Sequence, residues 1–313
     1  MKVLSLFDGM SCGQIALDQL GTPVEKYYAS EIDKYAIQVT QANYPDTIQV
    51  GDVTKLDPKD FADVDLIMGG SPCQGFSFAG KQLAFDDPRS ALFFEFIKLL
   101  KAIKPKYFLL ENVRMKKEFL DIISQEVSKC YPEIAFGIEP ILINSSLMSA
   151  QSRQRYYWTN IPNIQQPEDR GIVLKDILED DYESDRDKSY CIDGNYFKGA
   201  SVEQYKKKSR RQLVSKPKQV GMAADINGHD ILRRVYSPEG KSPCLNAGGG
   251  GNREPKVAQE DLTWRKLTPL ECERLQTVPD NYTNHVSKTQ RYKMLGNGWT
   301  VEVIKHILQS IKT

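Results

Sequence analysis

KVLSLFDGMSCGQIALDQLG, Lys2 to Gly21, is the stretch that decides the fold. Lys2 to Phe7 is a short apolar run of strand length, and it breaks at Asp8-Gly9. From about Gly13 to Leu20 the apolar residues recur at helical spacing, and Gly21-Thr22-Pro23 stops them. A strand, a sharp turn and a helix in immediate succession are the opening of an alternating α/β chain.

The same rhythm continues outward. Lys26 to Glu31 reads as a second strand, Asp33 to Asn43 as a helix ending near Pro45, and Thr47 to Val50 as a third strand. Val64 to Met68 is a fourth, Ala91 to Lys104 an amphipathic helix, and Tyr107 to Leu110 a fifth strand. This alternation predicts a parallel, doubly wound α/β sheet. In such sheets ligands sit beyond the carboxyl ends of the strands. Asp8, Glu31, Asp52, Cys73 and Glu111 each follow a predicted strand end, so the sheet should gather them along one edge.

After about Asn160 the rhythm stops. Residues 161–262 are rich in charge, Gly, Ser and Pro, with a four-glycine run at Gly248 to Gly251. Within them Lys206 to Lys218 holds seven basic residues and no acidic one. From Trp264 the pattern is regular again, and Val301 to Ile311 reads as a closing amphipathic helix. The predicted layout is a main domain built from 1–160 and 263–313, with a smaller domain, 161–262, inserted.

The 313 residues are 40% hydrophobic and 27% charged, a globular balance, and the net charge of +1 leaves any polyanion site to local clustering. The cysteines at 12, 73, 130, 191, 244 and 272 form no Cys-x-x-Cys pair, and His229, His285 and His306 lack ligand spacing, so no metal site is expected. Met1-Lys2 leads straight into a strand pattern, and no apolar run reaches membrane-spanning length. The expectation is a cytoplasmic protein with reduced thiols and no membrane partner.

Read by residue type, the acids after successive strands suit the hydroxyls and amino group of an adenosine. The first turn is not Gly-x-Gly-x-x-Gly, so a pyrophosphate loop, and with it a nicotinamide oxidoreductase, is disfavoured. Ordinary loop and capping roles for the acids stay open. Cys73, in Gly70-Ser71-Pro72-Cys73-Gln74, is either a nucleophile or a buried inert thiol. Gln74 to Arg89 offers the small residues of a lid. Glu111 could act on a ring nitrogen or cap the following helix. Arg153 and Arg155 lie on one face of an extended segment and could hold a carbonyl or phosphate, or be solvated.

Taken in order, these motifs resemble the DNA (cytosine-5) methyltransferase family. The resemblance rests on Phe7-Asp8-Gly9 with Gly13, Glu31, Asp52, Pro72-Cys73-Gln74, Glu111-Asn112-Val113 and Gln151-x-Arg153-x-Arg155. It continues through Arg265 to Pro269, Arg274-Leu275-Gln276 and Gly296-Asn297-Gly298-Trp299. It spans 1–160 and 264–313 and implies a Rossmann-like fold, binding S-adenosylmethionine, with an inserted target-recognition domain. Phe7 would stack on adenine, Glu31 hold the ribose and Asp52 the adenine amino group. Asp8, Gly9, Ser11, Gly13, Ile32, Val53, Pro72, Asn297, Gly298 and Trp299 would complete that pocket. Ser11 and Cys12 stand where the family's first motif usually has glycines.

Cys73 would attack carbon 6 of a cytosine flipped out of double-stranded DNA, Glu111 would bind ring nitrogen 3 and the amine, and Arg155 oxygen 2. Arg153 would support the thiol end. Gln74, Ser77, Lys81, Gln82, Arg89, Lys206, Lys207, Lys208, Arg210, Arg211, Arg233, Arg234 and Arg253 would meet the DNA. The resemblance implies a monomeric bacterial or phage enzyme, with or without a partner restriction endonuclease. A tRNA-acting relative and a non-catalytic regulator stand as rival readings.

Overall fold

A computed structural model of the chain describes residues 1–71, 91–179, 184, 186–198, 205, 212–215, 235–236, 256–257 and 264–311. Its strands are, in chain order, β1 (Lys2–Leu6), β2 (Lys26–Ser30), β3 (Ile48–Gln49), β4 (Leu66–Gly69), β5 (Tyr107–Val113), β6 (Ile141–Asn144), β7 (Gln154–Thr159), β8 (Leu213–Ser215), β9 (Val235–Tyr236), β10 (Lys256–Val257) and β11 (Trp264–Lys266). The main helices are α1 (Cys12–Gln19), α2 (Lys34–Asn43), α3 (Ala91–Ile103), α4 (Lys117–Ser128), α5 (Pro269–Leu275), α6 (Lys288–Asn297) and α7 (Val301–Leu308).

Seven strands form one sheet in the order β3-β2-β1-β4-β5-β7-β6. The first five are parallel, as the sequence predicts. The last two depart from it: β7 runs antiparallel to both β5 and β6. The link between β6 and β7 carries only a 3-10 turn, Ser145–Leu147, and is too short for the crossover that a parallel pair requires.

The antiparallel partner also corrects a boundary. Glu111, Asn112 and Val113 pair with Tyr157, Tyr156 and Arg155, so β5 continues beyond Leu110. Glu111 therefore lies inside a strand rather than after one. Its side-chain direction is set by strand alternation.

Alternation also divides the core. Val3 and Leu109 face one cluster, with Ile15 and Leu17 of α1 and Ile304 and Ile307 of α7. Leu4, Leu6, Phe108 and Leu110 face the other, with Phe93, Phe96 and Leu100 of α3 and Phe119 and Ile123 of α4. Both faces are covered, which is why the central strands read as continuous apolar runs. The return segment seats α7 against α1. Thr268, Pro269 and Glu271 start α5 with a full capping box: Glu271 N–H donates to Thr268 Oγ1 and Thr268 N–H to Glu271 Oε2. Leu174, Ile177, Ile192 and Tyr196 join the first core cluster, so the packed core extends past residue 160.

Candidate active site

The site begins where β1 ends. Phe7 has φ 56°, Gly9 φ 60° and Ser11 φ 61°. Left-handed backbone at a bulky residue such as Phe7 costs about 1–2 kcal/mol and marks a place where the surrounding structure dictates the turn. The turn brings the Gly9 N–H to Glu31 Oε2 at 2.8 Å. Glu31 Oε1 accepts from Ile32 N–H at 2.7 Å and Asp33 N–H at 2.8 Å. Its carboxylate is thus fixed across the ends of β1 and β2.

Beside it lies Asp8, which accepts from the Tyr27 hydroxyl at 2.8 Å and from Ser11 Oγ. Burial pushes the Asp8 carboxyl up to about 6, and those hydroxyl donors only partly oppose it. Phe7, Asp8, Gly9 and Glu31 line a cavity of ≈ 410 Å³. A phosphate-bearing ligand would meet Asp8 and Glu31 there without an opposing glycine-loop cradle, whereas the hydroxyls of a neutral sugar would find acceptors.

The other wall comes from β4, β5, β7 and the far end of the chain. Gly70, Glu111, Arg153, Arg155, Asn297 and Trp299 line the same cavity. Glu111 Oε1 pairs with Arg155 Nε at 2.9 Å, and Glu111 Oε2 accepts from Trp299 Nε1 at 3.2 Å. The carboxylate is held at both oxygens and is nearly buried. Gly70 is a close approach: a Cβ there would lie 2.8 Å from Glu111 Oε2 and 3.0 Å from Trp299 Nε1. Arg153 and Arg155 both line the cavity and both reach the Cys191 thiol, but Arg155 pairs with Glu111 while Arg153 holds backbone. Arg153 donates to Ile192 O, Gly296 O and Gly298 O at 3.0–3.2 Å.

The structure does not bring all predicted residues to the cavity. Asp52 is a turn cap, with Oδ1 accepting from Thr54 N–H and Oγ1. Ser11 and Val53 are buried away from the lining, and Ile32 is exposed. Gly13 serves packing, since a Cβ there would strike the Met68 side chain at 2.4 Å. Pro72, Cys73, Gln74, Ser77, Lys81, Gln82 and Arg89 lie outside the described residues, as do Lys206, Lys207, Lys208, Arg210, Arg211, Arg233, Arg234 and Arg253.

Other lining residues escaped the sequence reading. Cys12 faces the cavity, its thiol pushed up to about 12 by burial, with the Trp299 N–H opposing that. A thiol in place of a glycine thus finds a backbone donor in the return segment. Asp33 and Lys293 form an ion pair at 2.7 Å on the rim. Burial raises the Asp33 carboxyl, but Lys293 and the Tyr35 N–H more than offset it and hold it below its ordinary value. No local signal links Asp33 to a lysine on α6; only the chain's return creates the pair. Among the described residues no cluster of His, Cys, Asp or Glu could hold a metal ion. No described helix is long and apolar enough to cross a membrane.

The family model for C-5 cytosine-specific DNA methylases matches residues 1–313. The type II methyltransferase M1.ScrFI of Lactococcus lactis subsp. cremoris is 31% identical over 331 residues, covering 99% of this chain and 77% of that protein. The type II methyltransferase M.HhaI of Haemophilus parahaemolyticus is 31% identical over 326 residues, covering 99% and 94%. Among solved structures, the Entamoeba histolytica methyltransferase EhMeth has a TM-score of 0.70 at 16% identity, covering 99% and 97%, a likeness of fold.

Proposed function

The chain belongs to the C-5 cytosine-specific DNA methylases and transfers a methyl group to carbon 5 of cytosine in DNA; from that premise we propose how its residues divide the work. S-adenosylmethionine, when bound, supplies the electrophilic methyl group. The cavity suits it: acidic acceptors at the strand ends, an aromatic at Phe7 and no phosphate cradle. Phe7 offers a face to adenine. Glu31 Oε2 carries one backbone bond and keeps acceptor capacity for a ribose hydroxyl. Asn297, Gly298 and Trp299 close the pocket from the return segment.

The target base cannot be reached within a duplex, so it is flipped out at a cost of about a few kcal/mol. Glu111 and Arg155 meet its polar edge: Glu111 at nitrogen 3 and the amine, Arg155 at oxygen 2. The Cys73 thiolate adds to carbon 6; nitrogen 3 takes a proton from the Glu111 carboxyl, to be returned on elimination, and the Arg155 guanidinium donates to oxygen 2, so the displaced electron pair is taken up at both atoms. That addition makes carbon 5 nucleophilic. Carbon 5 takes the methyl group, loses its proton to a base, and the carbon–sulfur bond breaks to release Cys73. Gln74 to Arg89 and the basic run from Lys206 lie against the DNA, with arginines such as Arg233, Arg234 and Arg253 available to read guanines.

The observation that carries this reading is Glu111, held between Arg155 and Trp299 on the wall of the cavity that Glu31 also lines. The test is transfer of labelled methyl from S-adenosylmethionine to unmethylated genomic DNA, followed by bisulfite sequencing. Wild type should produce methylcytosine within one short sequence and Cys73→Ser none. Label transferred by Cys73→Ser at the wild-type rate would refute the assigned nucleophile.

A further inference from the structure

Residue Ile192, within the inserted region 161–262, is gripped by both of its backbone groups. Its N–H donates to Gln151 Oε1 at 3.0 Å, and its carbonyl accepts from Arg153 Nη1 at 3.2 Å. The other arm of the same guanidinium, Nη2, donates to Gly296 O at 3.2 Å and Gly298 O at 3.0 Å. Those carbonyls belong to the last turn of α6 and its cap, which carry Asn297 and Trp299 into the cavity. Gln151 extends the grip through Gln276 to Thr300, by bonds of 3.3 and 2.9 Å. Gln151, Gln276 and Arg153 are all buried.

Two glycines bring the backbones together. A Cβ on Gly296 would lie 2.3 Å from the Asp193 carbonyl carbon, and one on Gly194 would lie 2.8 Å from Asn297 Oδ1. This part of the insertion is therefore stacked directly on the end of α6 that lines the cavity. A buried guanidinium over three carbonyls is costly to leave half satisfied, so the two segments hold or release together.

We propose that Arg153 is a positioning residue whose clasp on Ile192, Gly296 and Gly298 couples DNA held by the insertion to occupancy of the cofactor pocket. The proposal rests on the reading of that pocket and of the insertion given above. Coupling of this kind is reciprocal: whatever DNA does for the cofactor, the cofactor does for DNA.

The test measures binding of S-adenosylhomocysteine, which does not turn over, to the full chain by calorimetry. Titrations run with and without sheared unmethylated genomic DNA. In wild type, DNA should tighten binding by about tenfold, within the ordinary range of such couplings. In Arg153→Met the tightening should fall to about twofold or less, and Arg153→Lys should regain part of it, because an ammonium can serve one carbonyl group of the clasp but not both sides. A purely structural role would lower the melting temperature without changing that ratio. Equal tightening in wild type and Arg153→Met overturns the proposal, as does the lack of any tightening in wild type. If Arg153→Met does not fold, Gly194→Ala replaces it. It presses on Asn297 without removing a buried charge, and an unchanged ratio there also overturns the proposal. Failure of wild type to bind S-adenosylhomocysteine at all would instead sink the assignment of the pocket.

Discussion

Replacing Gly70 by alanine should separate activity from stability. The added Cβ would lie 2.8 Å from Glu111 Oε2 and 3.0 Å from Trp299 Nε1. An ordinary carbon–oxygen contact needs roughly half an ångström more, so one of the two groups has to move. Gly70 has no left-handed φ, so the backbone itself accepts alanine without strain. The groups that give way are side-chain ends, which keeps the cost to folding at about 1 kcal/mol, the order of the Trp299–Glu111 hydrogen bond. Glu111 cannot swing freely, because Arg155 holds its other oxygen at 2.9 Å. The displacement therefore falls on the geometry that would receive the base. A misplacement of about that size costs roughly 10- to 100-fold in rate, or about 1.4–2.7 kcal/mol of barrier. Single-turnover methyl transfer at saturating S-adenosylmethionine and DNA reads the rate, and thermal unfolding reads the stability. A rate within twofold of wild type would refute the reasoning. So would a rate loss matched by collapse of the melting temperature.

Asp8 should make stability fall as pH rises. Its folded value of about 6 lies above the unfolded 3.8, so the native state holds a proton that the unfolded chain has lost. That contribution is complete below about pH 4 and is lost as pH rises through 6, about 3 kcal/mol in all. Urea midpoints between pH 4 and 7 should decline more steeply for wild type than for Asp8→Asn. Cys191 is exposed at the surface; desolvation by its neighbours raises the thiol, but Arg153 and Arg155 outweigh it and bring the thiol below its ordinary value. Its alkylation by iodoacetamide, followed by peptide mass spectrometry, should reach half-maximal rate at lower pH in wild type than in Arg153→Met. Glu273, fully buried, accepts from Thr283 N–H at 2.8 Å and pairs with Arg291 at 2.9 Å. Glu273→Ala leaves that guanidinium buried without its partner and should cost about 3–5 kcal/mol by urea unfolding. A loss below 1 kcal/mol would show that the pair is dispensable.

The sequence by itself determined the parallel half of the sheet, because strand and helix periods are local properties of β1 to β5 and α1 to α3. It also determined which strand ends carry acids, since a residue after a strand sits at the sheet edge whatever its neighbours are. Asp8 and Glu31 reach the cavity for that reason. Asp52 does not, because its own turn claims Oδ1 through Thr54, a competition between local and tertiary bonds that residue type cannot rank. Tertiary structure alone decided the rest. The extension of β5 through Glu111 depends on pairing with β7, a partner more than forty residues later in the chain. The rim pair of Asp33 and Lys293, the indole of Trp299 on Glu111 and the grip of Arg153 on Ile192 and Gly298 each join residues far apart in sequence. No window along the chain contains such pairs. They exist because the return segment folds back onto the sheet edge, where burial makes each unpaired polar group costly enough to demand a partner.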